Sequence, residues 1–224
     1  MLLQRFIKKP GPLAGVRVVV QILICATIIV GCGSTPKHAN NDEDVLLGPD
    51  GQPIAERAIP PQAQLMYEQA VAVMASGDFL EAQLRFQEFL LHYPTYPGAH
   101  VNLAIIYSAN GDDHGTENSL TDALMIDPEH PAALNQLGML LRRQGKFPEA
   151  KFAYAKAITA DPQYSLAHYN LGVLHELYLQ DLDIALQHYE QYQALNGDDK
   201  QVEKWIVDLK RRIGADQRTA NVTE

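Results

Sequence analysis

Cysteine is nearly absent: the 224 residues hold two, Cys25 and Cys32, both close to the N-terminus. A disulfide framework is thereby excluded. Positive charge is also scarce, with 18 Lys and Arg against 27 Asp and Glu and a net charge of −9. Four of those 18 (Arg5, Lys8, Lys9, Arg17) fall in the first 31 residues, where no acid stands, so the rest of the chain is more acidic still. A surface of that sign repels phosphate backbones and excludes a general nucleic-acid binder. No glycine-rich phosphate loop, nucleophile elbow or Cys–His pair with a free thiol occurs. No catalytic residue, cofactor or small-molecule substrate is therefore assigned, and the chain is not read as an enzyme. Long apolar runs are missing too. The longest, Val18 to Val30, has 13 residues broken by Gln21 and Thr27. As a helix it rises about 20 Å, short of the ~30 Å hydrocarbon core of a bilayer. With 46% hydrophobic and 20% charged residues, the composition is that of one or two globular domains.

The apolar run comes after a basic, acid-free stretch, which is the order of a signal peptide over residues 1–31. The usual small-x-small cleavage site is missing. In its place Ile29-Val30-Gly31-Cys32 resembles the lipobox of bacterial lipoproteins. That resemblance implies diacylglyceryl modification of the Cys32 thiol, cleavage just before it, and acylation of the new amino terminus. Three acyl chains anchor firmly, since each buried CH₂ contributes ~0.8 kcal/mol while one chain alone is marginal. Gly33, rather than Asp, after the cysteine implies sorting to the outer membrane, facing the periplasm. The rival reading is an uncleaved anchor helix with Cys32 incidental, and Cys25 is assigned no role.

Residues 32–62 are read as the acylated cysteine and a disordered linker. From 33 to 61 there are eight Gly and Pro in 29 residues and few large apolar groups, too little to offset the entropy of ordering. Beyond the linker the sequence repeats. Pro94, Pro128 and Pro162 are 34 apart, as are Gly77, Gly111 and Gly145. The small residues Ala70, Ala104, Gly138 and Gly172 keep the same interval, and so do Phe86, Leu120 and Tyr154. Within each unit apolar residues recur at three- and four-residue spacing, which predicts two amphipathic helices broken by Gly at the inner turn and ended near Pro.

A 34-residue helix–turn–helix period with these columns resembles the tetratricopeptide repeat (TPR) family. The implied fold is all-α: a right-handed superhelical solenoid of TPR units with a C-terminal capping helix. Four units are expected at 63–96, 97–130, 131–164 and 165–197. The fourth is irregular, since the turn Tyr178-Leu179-Gln180-Asp181 lacks Gly and carries one extra residue. A capping helix is expected at 198–214, stopped by Gly214, and a disordered tail at 215–224. In TPR modules the first helix of each unit lines a concave groove. By the 34-residue register the implied groove residues are Tyr67, Val71, Met74, Val101, Asn102, Ile105, Asn135, Gln136, Met139, Arg142, Tyr169, Asn170 and Val173, with Ser108 and Glu176 in the same columns. This lining suits an extended or helical peptide held by apolar anchors and main-chain hydrogen bonds.

The layout of lipobox, linker and TPR is similar to that of type IV pilus pilotin-like TPR lipoproteins and of adaptors for cell-wall hydrolases. It implies an envelope scaffold without chemistry of its own, serving pilus or secretion, cell-wall, outer-membrane-assembly or TonB-like machinery. The alternative is a periplasmic holdase using the same groove. A third reading is a hydrolase site around His168, His175 and Glu176. Those two histidines occupy ordinary packing columns and have no third ligand at ligand spacing, so no metal site is assigned.

Overall fold

A computed structural model describes residues 60–220. The expected signal peptide, the expected lipidation site Cys32, the stretch to residue 59 read as a linker, and the last four residues lie outside the described part. Nine α-helices succeed one another among the described residues: α1 (Pro61–Ser76), α2 (Phe79–His92), α3 (Pro97–Ala109), α4 (Asp113–Ile126), α5 (Pro131–Arg143), α6 (Phe147–Ala160), α7 (Ser165–Leu174), α8 (Leu182–Asn196) and α9 (Lys200–Ala220). A π turn, His175–Leu179, continues α7. Consecutive helices pack as the hairpins α1–α2, α3–α4, α5–α6 and α7–α8, and each second helix also packs on the first helix of the next hairpin. Across unit boundaries α3 touches α5 and α5 touches α7. The first helices thus crowd along an inner side while the second helices splay on the outer one, the geometry of a curved solenoid.

The hairpins are punctuated by local chemistry. Gly77, Gly111 and Gly145 turn the chain with φ of 89°, 76° and 76°, a left-handed conformation in which a Cβ is penalised. Immediately after them the side chains of Asp78 and Asp112 accept the backbone N–H of Glu81 and Gly115, capping α2 and α4. Asp181 does the same for α8 through Ile184. The third unit differs: Lys146 holds that place and offers no side-chain cap, forgoing about 1 kcal/mol and putting a cation at the positive end of a helix. In the fourth unit the extra residue is absorbed by the π turn, and Gln180 takes the left-handed position at φ 55° in place of glycine. Ala185 and Tyr189 thereby return to the packing register.

Within every hairpin a small residue on the first helix faces a large one on the second. Ala70, Ala104, Gly138 and Gly172 sit where the helices cross, and Phe86, Leu120, Tyr154 and Tyr189 are buried. The pairs are matched in size. Where the partner is the larger tyrosine, the first helix supplies glycine: a Cβ on Gly138 would stand 2.5 Å from Tyr154 Cε1, and one on Gly172 would stand 2.8 Å from Tyr189 Cδ1. The terminal units are closed by aromatic clusters. Phe89 packs against Tyr67, Tyr93 and Tyr96 at ring separations of 5.7, 5.2 and 5.3 Å. At the other end Val202, Trp205, Ile206 and Leu209 of α9 bury against Tyr189 and Tyr192.

Two boundaries differ from the sequence expectation. Helix α1 starts at Pro61, whose fixed φ suits a first helical position. Helix α9 does not stop at Gly214 but runs to Ala220. A glycine costs a helix about 1 kcal/mol relative to alanine, which the good helix formers on either side carry.

Candidate functional site

The inner side is built from α1, α3, α5 and α7, and the register-derived residues divide there by depth. Val71 is exposed, while Tyr67, Met74, Asn102, Ile105, Ser108, Gln136, Met139, Arg142 and Tyr169 are half-buried and reach solvent. Val101, Asn135, Asn170, Val173 and Glu176 are buried. These five are corrections: they pack between helices and offer no surface to a partner. Val101 joins Ala104, Leu120 and Leu140, and Val173 joins Tyr189 and Trp205.

The polar members are withdrawn by hydrogen bonds that cross unit boundaries. The Asn170 amide donates to the Asn135 carbonyl oxygen at 2.9 Å, and the Asn102 amide donates to the Tyr67 hydroxyl at 2.9 Å. The Arg143 guanidinium donates to the Ser108 hydroxyl at 2.9 Å and pairs with Asp113. Each of the three side-chain bonds spans 35 residues, one more than the repeat, so it links neighbouring columns of successive first helices. Buried amides satisfied in this way hold the stack together. Buried Glu176 ties down the cap, accepting from the Tyr189 hydroxyl at 3.0 Å and from Arg212 at 3.2 Å.

What stays open is an apolar and aromatic track with one cation. Arg143 and Arg212 have acid partners, whereas Arg142 pairs with none among the described residues. Burial pushes the Tyr154 hydroxyl up to about 12, with the Arg142 charge pulling the other way, and the same opposition acts on Tyr169. Tyr169 contributes to the track only in part, for its ring also packs on Tyr192 at 5.2 Å and Trp205 at 5.9 Å. An uncompensated guanidinium beside half-buried tyrosine and methionine has the composition that protein interfaces favour.

On the outer side the structure assembles a group the sequence reading missed. His168 and His175 are buried, and half-buried His188 of α8 stands against them. The Nδ1 atoms of His168 and His188 lie 3.1 Å apart, and the rings of His175 and His188 are 6.3 Å apart. In the preceding unit the matching positions are Leu134, Leu141 and Ala153; the inserted residue moves the last of these off the 34-residue interval and hides His188. Desolvation by burial, then the neighbouring imidazoles and Lys151, lower the His188 pKa to about 4, and burial lowers His168 and His175 in the same direction. Asp181 stands 3.8 Å from His175 Nδ1. Among the described residues no group of three or more His, Cys, Asp or Glu has the geometry to hold a metal ion. Glu176, placed with His168 and His175 in the hydrolase reading, is engaged by Tyr189 and Arg212.

Comparison with known proteins agrees with this geometry. The family described as Tetratricopeptide repeat matches residues 131–164. No curated protein matches the chain in sequence. Among solved structures, PilF of Pseudomonas aeruginosa superposes with a TM-score of 0.61 at 22% identity, over 70% of this chain and 72% of its own. A thermophilic TPR protein of Thermus thermophilus gives 0.58 at 21% identity, over 68% and 83%. MamA of Desulfovibrio magneticus gives 0.56 at 18% identity, over 73% and 92%. At such identities the likeness is one of fold.

Proposed function

Since this chain is a tetratricopeptide-repeat protein, we propose that it is a lipid-anchored adaptor of the bacterial envelope, which holds a protein partner along its inner face and serves assembly of an envelope complex. Protein–protein interaction is the role of a solenoid whose first helices leave a continuous side-chain track open. The observation that carries the reading is the half-buried track Tyr67, Met74, Ile105, Gln136, Met139 and Arg142, running over three successive units and ending in a guanidinium with no acid partner among the described residues. The lipobox Ile29-Val30-Gly31-Cys32 supports the anchor and the location.

Two experiments test the two halves separately. Affinity capture from detergent-solubilised envelopes is expected to retrieve one or two partners that survive a salt wash. Arg142→Ala should reduce their recovery about tenfold while leaving the melting temperature within a few degrees. Weak retrieval of many unrelated unfolded chains, indifferent to Arg142, would favour a holdase instead. For the anchor, Cys32→Ser should abolish incorporation of labelled palmitate; a mutant that still takes the label would refute the lipidation site.

A further inference from the structure

The apolar core divides inside the fourth unit. Ala150 and Tyr154 of α6 cluster with Leu171 and Leu174 of α7, whereas Ala185, Tyr189 and Tyr192 of α8 cluster with Val202, Trp205, Ile206 and Leu209 of α9. Helix α7 gives that second cluster Val173 and half-buried Tyr169. Helices α8 and α9 thus form one apolar body and α7 belongs to another, so the pair can leave as a cooperative piece. The end of a stack of repeats is also where opening disturbs fewest neighbours.

The histidines lie on this seam. Where the third unit packs Leu134, Leu141 and Ala153, the fourth sets His168 and His175 against His188 of α8. Lys151 of α6 bears on His175 and His188, and His168 is held by the Pro162 carbonyl. Asp181, just before α8, stands 3.8 Å from His175 Nδ1, which is buried without a hydrogen-bond partner among the described residues. A cavity of about 410 Å³ between α6, α7 and α8 is lined by Lys151, His175 and His188, which gives protons a way to the rings. The link from α7 to α8 is strained besides: the π turn ends on Gln180 at φ 55°, a conformation that favours glycine.

We propose that acid opens the fourth unit: α8 and α9 detach together from α7, uncovering Tyr169, Val173 and Trp205 while the first three units stay folded. A proton on each of His168 and His188 sets two cations 3.1 Å apart beside Lys151, and parting the helices separates them. Asp181 supplies a counter-charge to His175. Burial holds all three rings below the ordinary 6.5 in the closed unit, and detachment restores them to water, so protons favour the open form. On the adaptor reading, whose inner side includes Tyr169, this makes partner capture sensitive to pH; the opening itself is measured without any partner.

Trp205 is the one tryptophan of the chain, so its fluorescence reports the seam directly. Between pH 7.5 and 4.5 the full-length protein in mild detergent is expected to show a red-shifted Trp205 emission and at least threefold stronger acrylamide quenching, while most of its far-ultraviolet helix signal remains. In hydrogen exchange at pH 5 the amides of α8 and α9 should fall together to protection at least tenfold below that of α5 and α6. His188→Ala should move the fluorescence midpoint down by at least half a pH unit. His168→Leu, His175→Leu and His188→Ala combined rebuild the third unit's contact and should abolish the transition. Melting temperatures at pH 7.5 establish that both variants fold. A tryptophan that stays shielded until the whole helix signal collapses overturns the proposal. So does an opening that the triple variant retains, which would assign it to another group such as Glu176.

Discussion

Gly138→Leu is expected to destabilise the protein by about 3 kcal/mol, the upper part of the usual range for overpacking a rigid core, and to lower its melting temperature by roughly 10 °C. The clash begins at the first added carbon. A Cβ at position 138 meets Cε1, Cδ1 and Cζ of Tyr154 at 2.5, 2.6 and 2.9 Å, and Tyr154 is fully buried with nowhere to swing. Its hydroxyl has no hydrogen-bond partner among the described residues, so no polar anchor is lost if the ring is removed. That makes a sharp control available. Gly138→Ala alone should already destabilise clearly. Gly138→Ala with Tyr154→Leu recreates the pair that the second unit uses, Ala104 with Leu120, and should recover part of the loss. Chemical denaturation of the three variants checks this; a neutral Gly138→Ala would show that the helix crossing is looser than the size-matched pairs imply.

The same pairs show why so much of the fold was legible in advance. A packing rule that repeats every 34 residues writes itself into columns, and Ala70, Ala104, Gly138 and Gly172 can be aligned without coordinates. Depth is a different matter. A column states which side of a helix a residue lies on, but not whether the neighbouring unit covers it, and so Val101, Asn135, Asn170 and Val173 looked like groove lining. The bonds that bury the two asparagines connect positions 35 apart, which a register counted in 34s cannot display. His188 was hidden for a related reason: the inserted residue that forms the π turn broke the alignment just before α8. Gly214 misled in the opposite sense: unlike Gly77, Gly111 and Gly145 it does not take a positive φ, so it stays inside α9 and caps nothing.

Stability should fall as the medium is acidified from pH 6.5, and the histidine group on the outer side should account for the first part of that fall. The folded pKa of His188 is lowered from the ordinary 6.5 to about 4 by burial, by His168 and His175, and by Lys151. His168 and His175 are lowered too, burial again being the main cause. A group whose folded pKa lies below its unfolded value favours the fold fully above pH 6.5, where both states are neutral. Below that, the unfolded chain binds protons that the folded one takes up less readily, a loss of at most about 1.4 kcal/mol per pH unit at His188 and less where solvent reaches the ring. The contact itself explains the difference. The Nδ1 atoms of His168 and His188 at 3.1 Å can share one proton, and a second would set two cations against each other beside Lys151. The window between pH 6.5 and 5 isolates the effect, because ordinary carboxylates titrate lower. Urea midpoints measured across it should drop in the wild type and drop less steeply in His188→Ala, which installs the residue that Ala153 supplies one unit earlier. Equal slopes in the two proteins would mean that the imidazoles are charged in the folded state, or hydrated well enough that their burial costs nothing.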